Sequence, residues 1–186
     1  MRLVPQTRCS LMMVRPRGFT LIELIAVMVI IGILGAVAAG RFFGASSVDG
    51  RTYADQFGAT LRYAQKLAIA QGRNVYAHVN ASGVSLCYQD LAVCPAGARV
   101  LAPGGENSGS SATAAKCTDS TWACEAPPVG VSVGVSSSFY FDPIGKPFAS
   151  GDTPPASTST FATLIVPIGG STARRVIVEA ETGYVH

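Results

Sequence analysis

Phe19 to Ala39 reads FTLIELIAVMVIIGILGAVAA, twenty-one residues with one charge, Glu23. A helix of about 20 apolar residues, rising 1.5 Å each, spans a bilayer core. Ahead of it, residues 1–18 hold Arg2, Arg8, Arg15 and Arg17 and no acid. A basic flank before an apolar span predicts a cytoplasmic N-terminus. A secretory signal has an apolar region of about 7–15 residues and a small-residue cleavage site. This run is longer and carries an acid near its start, so it reads as a membrane anchor of an unusual kind. An ionisable group at membrane depth costs several kcal/mol and points to function. Glu23 lies four residues after Phe19. A cut between Gly18 and Phe19 would create an α-amine one helical turn from this carboxylate. In an assembly, the carboxylate can pair with a neighbour's amine and offset both desolvation costs.

The composition follows from this segment. The 186 residues are 48% hydrophobic and 13% charged, against roughly 25% charge in ordinary soluble domains. Disorder as a global state is excluded, since disordered chains are poor in apolar residues. The net charge of +3 suggests a basic protein, but it depends on the leader. Without residues 1–18, ten Lys and Arg face 11 Asp and Glu, a side-chain charge of −1. The basic character therefore belongs to the leader and not to a nucleic-acid surface.

Arg17-Gly18-Phe19-Thr20-Leu21-Ile22-Glu23-Leu24 closely resembles the prepilin signature of type IV pilins and type II secretion pseudopilins. The resemblance implies that a dedicated membrane peptidase cuts after Gly18 on the cytoplasmic side and N-methylates Phe19. It also implies that Glu23 guides filament assembly. Family leaders are often short. Met13 opens a leader of six residues, so Met12 or Met13 is a candidate start beside Met1. Many pilins resembling this chain have proline where Gly40 stands, which leaves the local kink open.

Beyond the anchor, residues 44–50 (GASSVDG) read as a weak point or cap. Tyr53 to Gln71 reads as an amphipathic helix. Tyr53, Phe57, Leu61, Ala64 and Ala68 form one stripe, with Arg62, Gln65 and Lys66 away from it. Gly72 is a natural C-cap. Val75, Ala77 and Val79, a turn at 80–83, then Val84, Leu86 and Tyr88 read as a hairpin. Val129, Val131, Val133 and Val135 predict another strand, and Phe139-Tyr140-Phe141 a short one. Asp142 to Pro147 predicts a turn. Phe161 to Ile168 and Arg174 to Ala180 predict a second hairpin. Residues 102–114 and 149–160 read as loops. One long helix followed by strands predicts an α+β fold. Residues 61–70, 141–147 and 176–183 are similar to the GspH/FimT group of minor pilins and pseudopilins, and closer still to MSHA-type minor pilins of the MshC kind.

Cys9 lies in the leader, which leaves Cys87, Cys94, Cys117 and Cys124. An even set in an exported domain predicts disulfides. The equal spacing favours Cys87–Cys94 with Cys117–Cys124; a nested Cys87–Cys124 and Cys94–Cys117 pairing stays open. A four-thiolate zinc site is disfavoured, because zinc sites usually use close pairs such as C-x2-C.

No nucleophile elbow, zincin, P-loop or dinucleotide motif occurs. His78 falls on a strand facing away from Ala77 and Val79; His186 is the other histidine. Both read as surface residues. Ser136-Ser137-Ser138 shows no base nearby in sequence. Glu179 and Glu181 are expected on one side of a strand end, solvated. Trp122 reads as a contact residue or as the plug of a small core. Arg174 and Arg175 are a candidate DNA contact, weakened because strand neighbours point to opposite faces.

The sequence therefore predicts a non-enzymatic filament subunit without metal or cofactor: leader 1–18, transmembrane and filament-core helix 19–43, and periplasmic pilin-like head 44–186. The long helix is transmembrane in its first half, amphipathic in its second, and packed on antiparallel sheets. The expected partners are the prepilin peptidase, other pilins or pseudopilins, the inner-membrane assembly platform, and the bilayer before assembly. A minor pilin leads. A type II secretion pseudopilin and a DNA- or surface-binding tip subunit are the alternatives.

Overall fold

The computed structural model describes residues 20–42, 45–91, 93–154, 158–170 and 173–186, without the side chains of 36–48. Gly18 and Phe19 lie outside the described residues. The chain divides into two units, Met1–Phe42 and Phe43–His186.

The first unit is α1, Leu21–Phe42. It has no polar face: every described side chain from Leu21 to Gly35 is exposed, and all but Glu23 are apolar. A helix apolar all round belongs in a membrane or inside a larger core. Among the described residues, no helix is long and apolar enough to cross a membrane.

The second unit is mixed α+β. Helix α2, Ala45–Gln71, buries Tyr53, Phe57, Leu61, Ala64 and Ala68, and leaves Arg62 and Lys66 exposed. It is longer than the amphipathic pattern alone. Residues 45–50, read as a weak point, are helical. Gly50 is buried close to Gly170, so tertiary contact holds a turn that glycine propensity disfavours. Gly72 ends the helix with φ +60°, and the Arg73 amide donates to the Ala68 carbonyl.

The first sheet is antiparallel, in the order β3-β2-β1-β5-β6. Its strands are β1 Val75–Asn80, β2 Gly83–Cys87, β3 Cys124–Glu125, β5 Ser137–Phe141 and β6 Pro147–Ala149. Alternation puts Val75, Ala77 and Val79 on the face toward α2. The register adds Leu86, Val84, Phe139 and Phe141 to that face. The other face carries Tyr76, His78, Ser138 and Tyr140, with Phe148 stacked on Tyr140. Gly83 closes the first hairpin at φ +120°; a Cβ there would collide with the Glu125 carbonyl.

A second antiparallel sheet, β4-β7-β8, comprises Ser132–Val133, Leu164–Gly169 and Arg174–Val178. Val133, Val166, Ile168, Val176 and Val178 join the same core under α2. The valine run is a strand for only two residues. Val131 and Val133 are buried, whereas Val129 is 92% exposed beside Gly130 at φ +86°. The stretch 102–114 is not all loop, since α3, Ser111–Lys116, begins there with Ser110 as its N-cap.

This packing sets an expectation. Leu61→Ala should cost about 2–5 kcal/mol, because it opens a cavity between two sheets. Lys66→Ala should change stability by less than about 0.5 kcal/mol. Denaturant unfolding of both variants checks the contrast.

Candidate functional site

At the N-terminal end, the Thr20 carbonyl accepts from the Glu23 and Leu24 amides at 3.1 and 3.2 Å. Glu23 thus sits in the first turn of α1, exposed. A carboxylate there complements the positive end of the helix dipole and is open to a partner cation.

In the head, β2 pairs directly with β3, with Ser85 opposite Cys124 and Val84 opposite Glu125. Residues 88–123 are therefore an insertion between paired strands. Two disulfides staple it, Cys87–Cys94 with Cα atoms 5.9 Å apart and Cys117–Cys124 at 6.0 Å. Cys87, Cys94 and Ala98 form a small core with Trp122 as its plug. The Trp122 Nε1–H donates to the Leu86 carbonyl at 2.7 Å, and the Arg99 guanidinium lies over the ring at 4.8 Å. Arg99 also pairs with Asp119 at 3.6 Å. Glu125, unnoticed in sequence, is buried and anchors the insertion. It accepts from the Ser108 amide at 2.7 Å, the Ser108 hydroxyl at 2.5 Å and the Thr113 hydroxyl at 3.0 Å. Lys116 is also enclosed, and burial pulls its amine down to about 8 against the favourable pull of Glu125.

His78 is half-buried rather than on the open surface, and it does have a serine partner. Its Nδ1 lies 3.0 Å from Ser138 Oγ, the residue opposite it on β5. The base missing near Ser136-Ser137-Ser138 in sequence is supplied across the strand pair. The His78 Nε2 is buried without a hydrogen-bond partner. Burial holds the imidazole below its usual range, opposed by the Asp90 carboxylate and the Gln89 backbone. Strand pairing accounts for the contact.

Glu179 and Glu181 do not act as a pair. Glu179 takes His186 Nε2 at 3.1 Å and the Thr163 hydroxyl at 3.4 Å, while Glu181 takes Lys146 at 3.2 Å. The chain turns at Ala180–Gly183, which breaks the expected alternation. Arg174 and Arg175, expected on opposite faces, are both exposed and line one cavity with Arg62 and His186. They open β8, where the backbone enters the sheet. Arg62 was legible only as a polar residue on the exposed side of α2. Among the described residues, no group of three His, Cys, Asp or Glu is placed to hold a metal.

Residues 13–39 match the family model for the prokaryotic N-terminal methylation motif. This match spans Gly18, Phe19 and Glu23 and continues through the apolar run. The N-terminal segment carries the methylation motif found at the start of type IV pilins. The chain is similar to the type IV narrow pilus major component PilA5 of Thermus thermophilus, at 41% identity over 61 residues, 33% of this chain and 53% of that protein. The chain thus matches about half the length of that curated relative. No solved structure matches the chain. Its α+β architecture, an N-terminal helix followed by antiparallel sheets, fits the pilin fold.

Three expectations follow for the head. Non-reducing peptide mapping should recover Cys87 linked to Cys94 and Cys117 linked to Cys124. Replacing Cys117 and Cys124 together by serine should cost about 2 kcal/mol through the lost short-loop constraint. His78 sets a pH dependence. Unfolded, it titrates near 6.5, and folded, below that. Between these values the unfolded chain binds more protons, so stability falls as pH drops below about 6.5 and levels off under the folded value. Thermal melts across this window should show a smaller acid loss in His78→Gln than in the parent.

Proposed function

We propose that this chain is a type IV pilin, a minor subunit of a type IV pilus-like filament, held in the inner membrane with its head in the periplasm until assembly. The observation that carries this reading is the Gly18-Phe19-Thr20-Leu21-Ile22-Glu23 run inside the matched motif, followed by a helix with no polar face. Minor rank rests on the similarity of residues 61–70, 141–147 and 176–183 to the GspH/FimT group. The prepilin peptidase cuts Gly18–Phe19 and methylates the Phe19 amine, which retains a positive charge. Glu23 of one subunit then pairs with the amine of a neighbour. The pairing removes two costly charges from an apolar setting at once, which makes it a docking signal as well as an attraction. The helix trades lipid for the apolar surfaces of other helices, and Gly32 and Gly35 allow close approach. Chemistry by the head plays no part in this reading.

Two substitutions separate the steps. A bulky residue at Gly18 should block cleavage, leaving a larger precursor in membranes. Glu23→Ala should be cleaved normally yet enter filaments poorly. Immunoblots of membrane and sheared-filament fractions read both. Normal incorporation of both variants would overturn the reading.

A further inference from the structure

The cavity between α2 and β8 gathers much of the head's positive charge. It has a volume of about 140 Å³ and is lined by Arg62, Arg174, Arg175 and His186, with Asp55 as its one acidic side chain and Gly58 in its wall. Residues 44–186 hold nine Lys and Arg and ten Asp and Glu. Three of those nine cations and one of those ten acids line this space. Among the described residues, no ion pair takes up any of the three guanidiniums. Arg62 is oriented by a bond from Nη1 to the Val185 carbonyl at 3.2 Å, and the His186 imidazole is bonded to Glu179.

We propose that this cavity is a binding pocket for a small oxyanion of the phosphate type. The arrangement leaves three like charges facing one space, a cost that an anion between them removes. Guanidinium forks match the oxygens of phosphate and carboxylate. One fork satisfies a carboxylate, whereas three forks from two elements match a tetrahedral group with oxygens on every side. The volume equals the share of about four or five waters, enough for one phosphate group. Outside the pocket, six cations face nine acids over the rest of the head. That acidic surroundings supplies no extended track for a polyanion, which would need cations spread along its path. The pocket gives the head a ligand, independently of the machine in which the filament is used. The phosphate can be free or the diester of a lipid headgroup.

Calorimetric titration of the full processed chain in uncharged detergent, at low ionic strength, tests this with three probes. These are inorganic phosphate, glycerophosphoglycerol as a soluble headgroup diester, and a short DNA duplex. Saturable binding of at least one small phosphate is expected, weakened about tenfold or more by Arg62→Gln and by Arg175→Gln. Lys66→Gln, an exposed cation elsewhere on α2, should leave it unchanged. Tighter binding of inorganic phosphate supports a free ligand, and tighter binding of the diester supports a headgroup. Circular dichroism checks that the exposed arginine variants remain folded. Absence of saturable binding by both small phosphates would overturn the proposal. So would equal weakening by Lys66→Gln, or a duplex that binds tightly and resists displacement by phosphate.

Discussion

One apolar stripe on α2 has to be covered by two separate sheets, and the architecture of the head follows from that demand. Phe57 and Leu61 are fully buried at the centre of the stripe, while Ala64 and Ala68 let the strands come close toward its end. The first sheet supplies Val75, Ala77, Leu86, Phe139 and Phe141, and the second supplies Val166, Ile168, Val176 and Val178. Among the described residues, no other helix joins this core, so both sheets share the α2 stripe. The flank of the helix then stitches the sheets together. Gln65 Nε2 donates to the Gly145 carbonyl after β5 and to the Thr182 carbonyl after β8, both at 2.9 Å. Arg62 holds the Val185 carbonyl. Residues that look like solvent contacts in a helical wheel are thus the ties between two layers.

Where the α2 core runs out, the chain uses other means. The 88–123 insertion packs Cys94, Ala98 and Trp122 against Cys87 at the end of β2. Its remaining order comes from two covalent staples and from Glu125, whose buried carboxylate collects three donors. Burying that charge is tolerable because each donor replaces a lost water. A stapled excursion from a sheet edge can vary in surface chemistry without loosening the sheet beneath it. In α1 the logic is reversed. Every described side chain of α1 from Leu21 to Gly35 is exposed, and an apolar helix surface of this kind is stabilised by lipid or by other helices.

Much of this was legible in particular residues. The α2 stripe, the first hairpin and the Gly72 cap depend on local periodicity and turn chemistry, which a single segment carries. The second sheet was harder. Val129 to Val135 alternates well, yet only Ser132–Val133 pairs with β7, because pairing needs a partner and alternation does not provide one. The two-residue β3 and the three-residue β6 carry too little pattern to read. The helical residues 45–50 depend on Gly50 meeting Gly170, a contact between positions far apart in the chain.

The sequence by itself determined the methylation motif that contains Gly18, Phe19 and Glu23, the apolar run that follows it, and the α+β class. Each is encoded in contiguous residues, through apolar length, charge placement or period. Only the tertiary structure decided which distant groups meet. It put His78 against Ser138 across a strand pair, sent Glu179 and Glu181 to different partners, and joined Arg62 to Arg174 and Arg175 around one cavity. Strand register and helix docking set those meetings. Both are fixed by burial summed over the whole head, so no single segment contains the information.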